Sequence, residues 1–163
     1  MTVPHGPICQ IAWVTGDIEA TEQLLSEQFG VRAWTRLPNI EFGPQNCRLH
    51  GEPADFTAHI SLGYSGDMQL ELIQPVHGTS IYSEFMDRCG AGLHHVCFEP
   101  EDFDAAVASA EERGLAVVQQ GQMAGGMRFA YVDGASAGVP YVELAEISPE
   151  MHAFFDHLKK AAS

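Results

Sequence analysis

An internal repeat constrains the fold of this chain more than any other feature of the sequence. Residues 10–14, a mostly apolar run that opens with a glutamine, match residues 95–99, which open with a histidine. Gln10 and His95 stand 85 residues apart (95 − 10), and so do the aspartates that follow the two runs (102 − 17). Because self-similar segments at a constant spacing fold into copies of one unit, the repeat predicts two similar structural modules.

Each half of the repeat predicts the element order β-α-β-β-β. Runs rich in β-branched and aromatic residues are typical of strands, and both predicted helices follow an aspartate that can cap them, Asp17 or Asp102. We therefore predict an α+β fold in which two modules, residues 8–75 and 92–147, pair their curved sheets around one barrel-like cleft. The predicted strands are residues 8–14, 31–37, 56–64 and 68–73 in the first half and residues 93–99, 116–119, 127–133 and 140–146 in the second.

Three further segments complete the predicted organisation. Residues 80–89 are predicted to form a helix that links the modules. Residues 38–56 contain three prolines and two glycines and are predicted to form a long surface loop. Residues 148–163 open with a serine and a proline, which favour a helix start, and are predicted to form a C-terminal helix. Residues 1–147 are thus expected to be a single domain of two modules.

The composition excludes several classes of partner. The chain has a formal net charge of −14 and only eight Lys and Arg, which argues against nucleic acid, since phosphates are neutralised by a basic face. No apolar run approaches the ~20 residues of a membrane-spanning helix. The N-terminus lacks the basic and apolar regions of a signal peptide, and the four cysteines show no CxxC spacing. These features predict a cytoplasmic protein with reduced thiols and no membrane partner.

Polar residues at repeat-equivalent positions predict a shared site. Each half ends in a strand with a central glutamate, Glu71 or Glu143, and side-chain alternation points each glutamate away from its apolar neighbours. If the repeat is a pseudo-two-fold, both glutamates could converge with Gln10 and His95 on the axis between the modules. One amide oxygen, one imidazole and two carboxylates suit a divalent ion such as Zn, Ni, Co, Mn or Fe.

Simpler interpretations of the same residues stay open at this point. A single glutamate on a strand is more often a solvated residue, so the metal site depends on all four positions being equivalent. By the same alternation, His94 is expected to point away from His95 and to be packed or exposed rather than a ligand. With one histidine in the set, the two-His-one-carboxylate triad of ferrous oxygenases is not met.

Three motifs resemble those of a known superfamily. Residues 70–75 (LELIQP), 90–96 (GAGLHHV) and 138–144 (GVPYVEL) are similar in order and spacing to motifs of the vicinal oxygen chelate superfamily. Its members include glyoxalase I, methylmalonyl-CoA epimerase, extradiol dioxygenases and fosfomycin- and bleomycin-resistance proteins. The resemblance covers residues 8 to about 147, and the most similar branch is methylmalonyl-CoA epimerase.

The resemblance implies a ligand set for one divalent metal ion between the modules. Glyoxalase I uses the same Gln, Glu, His and Glu, whereas epimerases of this type usually have histidine where this chain has Gln10. The arginine and asparagine with which glyoxalase I binds glutathione are not matched, because Val14 and Pro75 stand in their places. The implied ligands are Gln10, Glu71, His95 and Glu143.

The resemblance also implies an enzyme that acts on a small-molecule carbonyl or thioester substrate. Such a metal-dependent isomerase, epimerase or lyase removes the proton next to the carbonyl and stabilises an enediolate or enolate at the metal. Glu143 is expected to be ligand and base, Glu71 to return the proton on the other face, and His59 to be a further candidate base. A homodimer is compatible with the resemblance. Coenzyme A could be held by Arg128, Arg88 or the backbone amides of residues 121–126.

Two other functions stay open from the sequence. A drug-resistance-type module would bind a small molecule without chemistry, although such relatives tend to lack the ligand set that this chain retains. A ring-cleaving dioxygenase would need ferrous iron and a second histidine at the position of Gln10 or Glu71.

Overall fold

The computed structural model describes residues 4–163 and contains four α-helices around a curled ten-stranded sheet. The helices are α1 (Ile18–Phe29), α2 (Ile81–Cys89), α3 (Phe103–Glu112) and α4 (Pro149–Ala161), with a short 3-10 turn at Ala135–Ala137. The strands are β1 (Ile8–Val14), β2 (Trp34–Phe42), β3 (Cys47–Leu49), β4 (Glu52–Pro53), β5 (Phe56–Ser65), β6 (Met68–Gly78), β7 (Gly92–Phe98), β8 (Val117–Met123), β9 (Met127–Asp133) and β10 (Tyr141–Glu146). Among the described helices, none is both long and apolar enough to cross a membrane.

The order of the strands confirms the predicted pairing of two βαβββ units. The sheet runs β2-β5-β6-β1-β7-β10-β9-β8-β3-β4, with the first strand of each unit at its centre. β1 and β7 pair antiparallel with each other, and each pairs parallel with the last strand of its own unit, β6 or β10. Gln10 lies opposite Cys97 and His95 lies opposite Ala12, so repeat-equivalent residues occupy equivalent places about a pseudo-two-fold axis.

Two bulges interrupt the central pair of strands at equivalent positions. Cys9 is an extra residue in β1, because Ile8 and Gln10 pair with the consecutive residues 98 and 97. His94 is the extra residue in β7, because Ala12 pairs with His95 and the next residue of β1 pairs with Leu93. A bulge re-aims a side chain, so His94 and His95 turn towards each other. The alternation rule that placed His94 on the opposite face fails for this reason.

The helices cover both faces of the curled sheet. On the outer face, α1 packs Ile18 and Leu25 against Leu72, and α3 packs Phe103 and Ala106 against Leu144. Each glutamate immediately precedes one of these leucines along β6 or β10 and therefore points to the inner face. There, α2 packs Ile81, Tyr82 and Phe85, and α4 packs Phe155 and Leu158, into one aromatic core. The inner face is thus enclosed by α2 and α4.

The prediction of a surface loop over residues 38–56 is wrong. β2 continues through Pro38 to Phe42, which is tolerated because β2 lies at the edge of the sheet and shifts register between Leu37 and Ile40. Residues 43–46 then carry the chain to β3, which pairs with β8 near the opposite edge. Four residues bridge only a short distance, so the two edges of the sheet curl towards each other, and the Phe42 and Phe129 rings meet with centroids 5.9 Å apart.

A glycine makes this close approach possible and provides a test of it. Gly121 of β8 lies opposite Cys47 of β3, and a Cβ at Gly121 would overlap the Cys47 thiol and the Asn46 carbonyl. We expect Gly121→Ala to lower the free energy of unfolding by about 1–3 kcal/mol, as overpacking does, measured by denaturant titration. Gly92→Ala in β7 is the matched control, because no heavy atom lies within 4 Å of a Cβ there. Equal stability of the two variants would contradict this closed arrangement.

Candidate functional site

Three of the four predicted ligands meet on the inner face of the sheet. The His95 Nε2 atom lies 3.5 Å from Oε1 of Glu71 and 3.6 Å from Oε2 of Glu143. The three side chains come from β7, β6 and β10, and the pseudo-two-fold relates the two glutamates. The His95 side chain is fully buried, and those of Glu71 and Glu143 are 13% and 5% exposed. One imidazole therefore sits between two buried acids.

Gln10 occupies the same face and is oriented by a chain of hydrogen bonds. Its Nε2 atom donates to Oε1 of Gln69 over 2.7 Å, and Nε2 of Gln69 donates to the Tyr64 hydroxyl over 3.0 Å. The Tyr64 hydroxyl donates in turn to the backbone carbonyl of Phe155 in α4 over 3.1 Å. Because the amide nitrogen of Gln10 is engaged, its buried Oε1 atom is left without a partner.

The donor set fits a divalent metal ion. Gln10 Oε1 and His95 Nε2 are both buried side-chain atoms without a hydrogen-bond partner, which is costly unless something binds them. Bonds of about 2.0–2.2 Å to one ion place neighbouring donor atoms roughly 3.0–3.5 Å apart. The separation of His95 from Glu71 is at the upper end of this range and that from Glu143 is just above it, and no group of three His, Cys, Asp or Glu within residues 4–163 meets metal-site geometry as it stands. The fit therefore lies in the chemical type of the four donors.

Burial controls the electrostatics of these side chains. It raises the pKa of Glu71 to about 8 and raises the pKa of Glu143 as well, with the charge of Glu71 adding to the effect on Glu143 and His95 opposing it. Burial also lowers the pKa of His95 to about 4 and that of His94 to about 2. Each group thus favours its neutral form. A positive ion among them would favour both carboxylates, because an opposite charge stabilises the ionised form.

The space beside the two acids is small and mostly apolar. A cavity of about 20 Å³, enough for one water molecule, is lined by Glu71, Glu143 and eight further residues, most of them aromatic or aliphatic. A cavity of about 530 Å³ lies between α3 and the strands β3 and β8, but its lining includes none of the four predicted ligands. Chemistry rather than size therefore identifies the candidate site.

Comparison with known proteins assigns the chain to a family. The sequence profile of the Glyoxalase/Bleomycin resistance protein/Dioxygenase superfamily matches residues 9–131. The chain belongs to this superfamily. The predicted membership is thereby confirmed, while no curated protein matches the sequence.

Solved structures with the same superfamily fold include several methylmalonyl-CoA epimerases. The epimerase from Mycobacterium tuberculosis aligns with a TM-score of 0.65 at 17% identity, over 94% of this chain and 95% of that chain. A Streptomyces coelicolor epimerase variant in complex with 2-nitronate-propionyl-CoA aligns with a TM-score of 0.62 at 18% identity, over 91% and 99%. An epimerase in complex with methylmalonyl-CoA and NH4+ aligns with a TM-score of 0.60 at 18% identity, over 88% and 96%. Because the sequence identities are only 17–18%, these alignments show a shared fold and nothing about the activity of this chain.

His59, the further candidate base, does not lie near the other predicted site residues. Along β5, His59 and Ser61 share the face on which the Ser61 hydroxyl donates to Glu22 of α1, whereas Leu62 lies opposite Glu71 on the inner face. The Nδ1 atom of His59 accepts from the Asn39 backbone N–H over 3.0 Å. His59 therefore lies on the outer side of the sheet and is not part of the site built around His95.

One of the cations proposed for coenzyme A, Arg128, lies away from the candidate ligands. Arg128 forms ion pairs with Asp104 at 3.0 Å and Glu146 at 2.8 Å, and its guanidinium lies 4.6 Å from the Phe103 ring centroid on the outer face. Arg88 lies in the last turn of α2. Arg128 is thus already neutralised by two carboxylates.

Several residues that support the site were not predicted from the sequence. The Cys97 thiol donates to Oε1 of Glu143 over 3.1 Å, and Gln69 holds Gln10. Both follow from alternation, since Gln69 lies two residues before Glu71 and Cys97 two residues after His95. His94 had no such signal, because its orientation depends on the bulge.

Proposed function

We propose that this member of the glyoxalase superfamily is a metal-dependent enzyme that moves a proton next to a carbonyl group, as an isomerase or epimerase or as a lyase. The observation that carries the proposal is the pair of buried carboxylates, Glu71 and Glu143, within 3.6 Å of one partnerless imidazole nitrogen. Buried acids without cationic partners are costly to retain, and they cluster where proton transfer is needed.

The four candidate ligands have separate tasks in this proposal. When bound by Gln10, Glu71, His95 and Glu143, a divalent ion supplies Lewis-acid stabilisation of the negative charge that develops on the substrate oxygen. Glu143 removes the proton next to the carbonyl, and Glu71, its pseudo-symmetric counterpart, delivers a proton to the other face. Burial raises the pKa of both carboxyls in the metal-free protein. A bound ion would favour their ionised forms, and an ionised carboxylate can accept the substrate proton.

The proposed substrate is a small thioester or hemithioacetal with a proton next to its carbonyl. Two of the similar structures are complexes with methylmalonyl-CoA or 2-nitronate-propionyl-CoA, which supports a 2-methyl thioester. Such a molecule exceeds the cavity of about 20 Å³, so substrate entry requires part of the enclosure to move. We assign this movement to α4, whose core residues Phe155 and Leu158 are only partly buried and whose ion pair between Lys159 and Asp67 is exposed.

The decisive test is exchange of the substrate proton with solvent deuterium. Metal-free protein, with a divalent ion added back, would be incubated in D2O with 2-methyl thioesters and with hemithioacetals. Deuterium is expected next to the carbonyl only when both protein and metal are present, and a 2,2-dimethyl thioester, which has no such proton, is the matched control. Substrate binding without exchange would support a ligand-binding module instead. If none of the tested substrates exchanged its proton in the metal-saturated protein, the proposal would be refuted.

The proposed location of the protein is the cytoplasm. Within the described residues all four cysteines are free, which supports the reducing environment of the cytoplasm. The predicted homodimer stays a prediction.

A further inference from the structure

We propose that His94 is a positioning residue that fixes the tautomer and ring orientation of His95. The inference deepens the proposed function, since it rests on His95 being a metal ligand through Nε2. It starts from a direct contact between the two imidazoles: their Nδ1 atoms lie 2.8 Å apart, and both side chains are fully buried. The β-bulge at His94 makes this contact possible between consecutive residues.

The contact restricts where the protons can be. A hydrogen bond between two ring nitrogens needs one proton, so one Nδ1 atom donates and the other accepts. If His95 Nδ1 donates, the neutral His95 ring carries its only proton there, and its Nε2 atom presents a lone pair towards Glu71 and Glu143. If His94 Nδ1 donates, His95 Nε2 carries the proton and cannot bind a cation. Metal binding through Nε2 therefore requires His94 to be the acceptor.

The surroundings of His94 suit an acceptor that stays in place. Its ring contacts four aromatic rings at centroid distances of 4.8–6.2 Å, so it has little room to rotate; these rings belong to Tyr82, Phe85, Tyr131 and Tyr141. The Nε2 atom of His94 has no hydrogen-bond partner. The contact with His95 is therefore the only side-chain hydrogen bond of this ring within the described residues.

The repeat provides an internal comparison. Cys9 occupies the bulge equivalent to His94, and Gln10 occupies the place of His95. The Cys9 thiol donates to the Cys97 carbonyl over 3.3 Å and does not orient Gln10, which is held by Gln69 instead. Only the half that carries the imidazole uses its bulge residue to orient a ligand, as expected if the tautomer needs control.

Two substitutions separate the hydrogen bond from packing. His94→Asn places an amide oxygen near the position of Nδ1 and keeps an acceptor, whereas His94→Leu fills similar space without one. We expect His94→Leu to weaken the binding of Co²⁺ or Zn²⁺ to the purified protein about 10–100-fold, the usual effect of losing the partner of a ligating histidine. His94→Asn should recover most of this loss, and His77→Leu, at an exposed position of β6, should bind like the unaltered protein.

A second measurement does not depend on the metal or on activity. The nitrogen-15 NMR signals of the His95 ring in the metal-free protein are expected to show the proton on Nδ1, and His94→Leu should shift the population towards the Nε2 tautomer. Unchanged metal affinity together with an unchanged tautomer in His94→Leu would overturn the inference. If the unaltered protein binds no metal, the proposed function fails, and the NMR signals still decide the role of His94. If His94→Leu does not fold, the wild-type tautomer and His94→Asn decide it.

Discussion

Replacing Glu143 by glutamine is expected to lower the rate of substrate proton exchange about 10²–10⁴-fold, the usual contribution of a general base. The amide keeps an oxygen that can hold a cation, as Gln10 is proposed to do, and it still accepts the hydrogen bond of the Cys97 thiol. It cannot take up a proton from carbon. The measurement is single-turnover deuterium exchange at saturating metal, so that a change in metal affinity does not enter the rate.

Glu146→Gln is the matched control for this prediction. Glu146 lies on the same strand, β10, but is exposed and paired with Arg128. Its replacement removes the same charge without touching the inner face, so the exchange rate should stay close to that of the unaltered protein. A Glu143→Gln variant that exchanges at the unaltered rate would remove Glu143 from the role of base.

A divalent ion at a hundred times its dissociation constant is expected to raise the free energy of unfolding by about 2.7 kcal/mol. For a chain of this size that corresponds to a rise in Tm of about 5–11 °C. The reason is that the ligands come from separate strands and are close together only in the folded state. The measurement is thermal unfolding of chelator-treated protein with and without added metal, followed by reversal with chelator.

His95→Ala should abolish this metal-dependent rise in Tm, because it removes the one imidazole of the set. His77→Ala, which removes an exposed histidine of β6, should retain the full rise. The variants are compared by the difference between their own metal-bound and metal-free Tm values, so any intrinsic loss of stability cancels. An equal rise in both variants would mean that the ion binds elsewhere.

The repeat allowed much of this arrangement to be predicted. In the repeat, Gln10 is equivalent to His95, and Glu71 is equivalent to Glu143. Together with strand alternation, this equivalence predicts that all four side chains lie on one face, and the structure shows the strand pairing on which that prediction depends. Contacts between residues far apart in the sequence could not be predicted in this way. Pro38, for example, indicates the end of a strand unless β2 is known to lie at the edge of the sheet.

Strand register explains the remaining differences between the predicted and the observed positions of the side chains. The face on which His59 lies depends on the pairing of Leu62 with Glu71, which a single sequence does not reveal. The bulge at His94 has no local sequence signal, since it arises where β1 and β7 meet. Cys97 and Gln69 could have been found by extending the alternation argument two residues along each strand. The sequence therefore predicts positions along a single strand better than contacts between strands.

The antiparallel pairing of β1 with β7 joins the two halves within a single polypeptide. Every one of the candidate donor side chains is therefore supplied by the same subunit. Dilution should leave the specific activity unchanged, and mixing a subunit that lacks Glu71 with one that lacks His95 should not complement either defect.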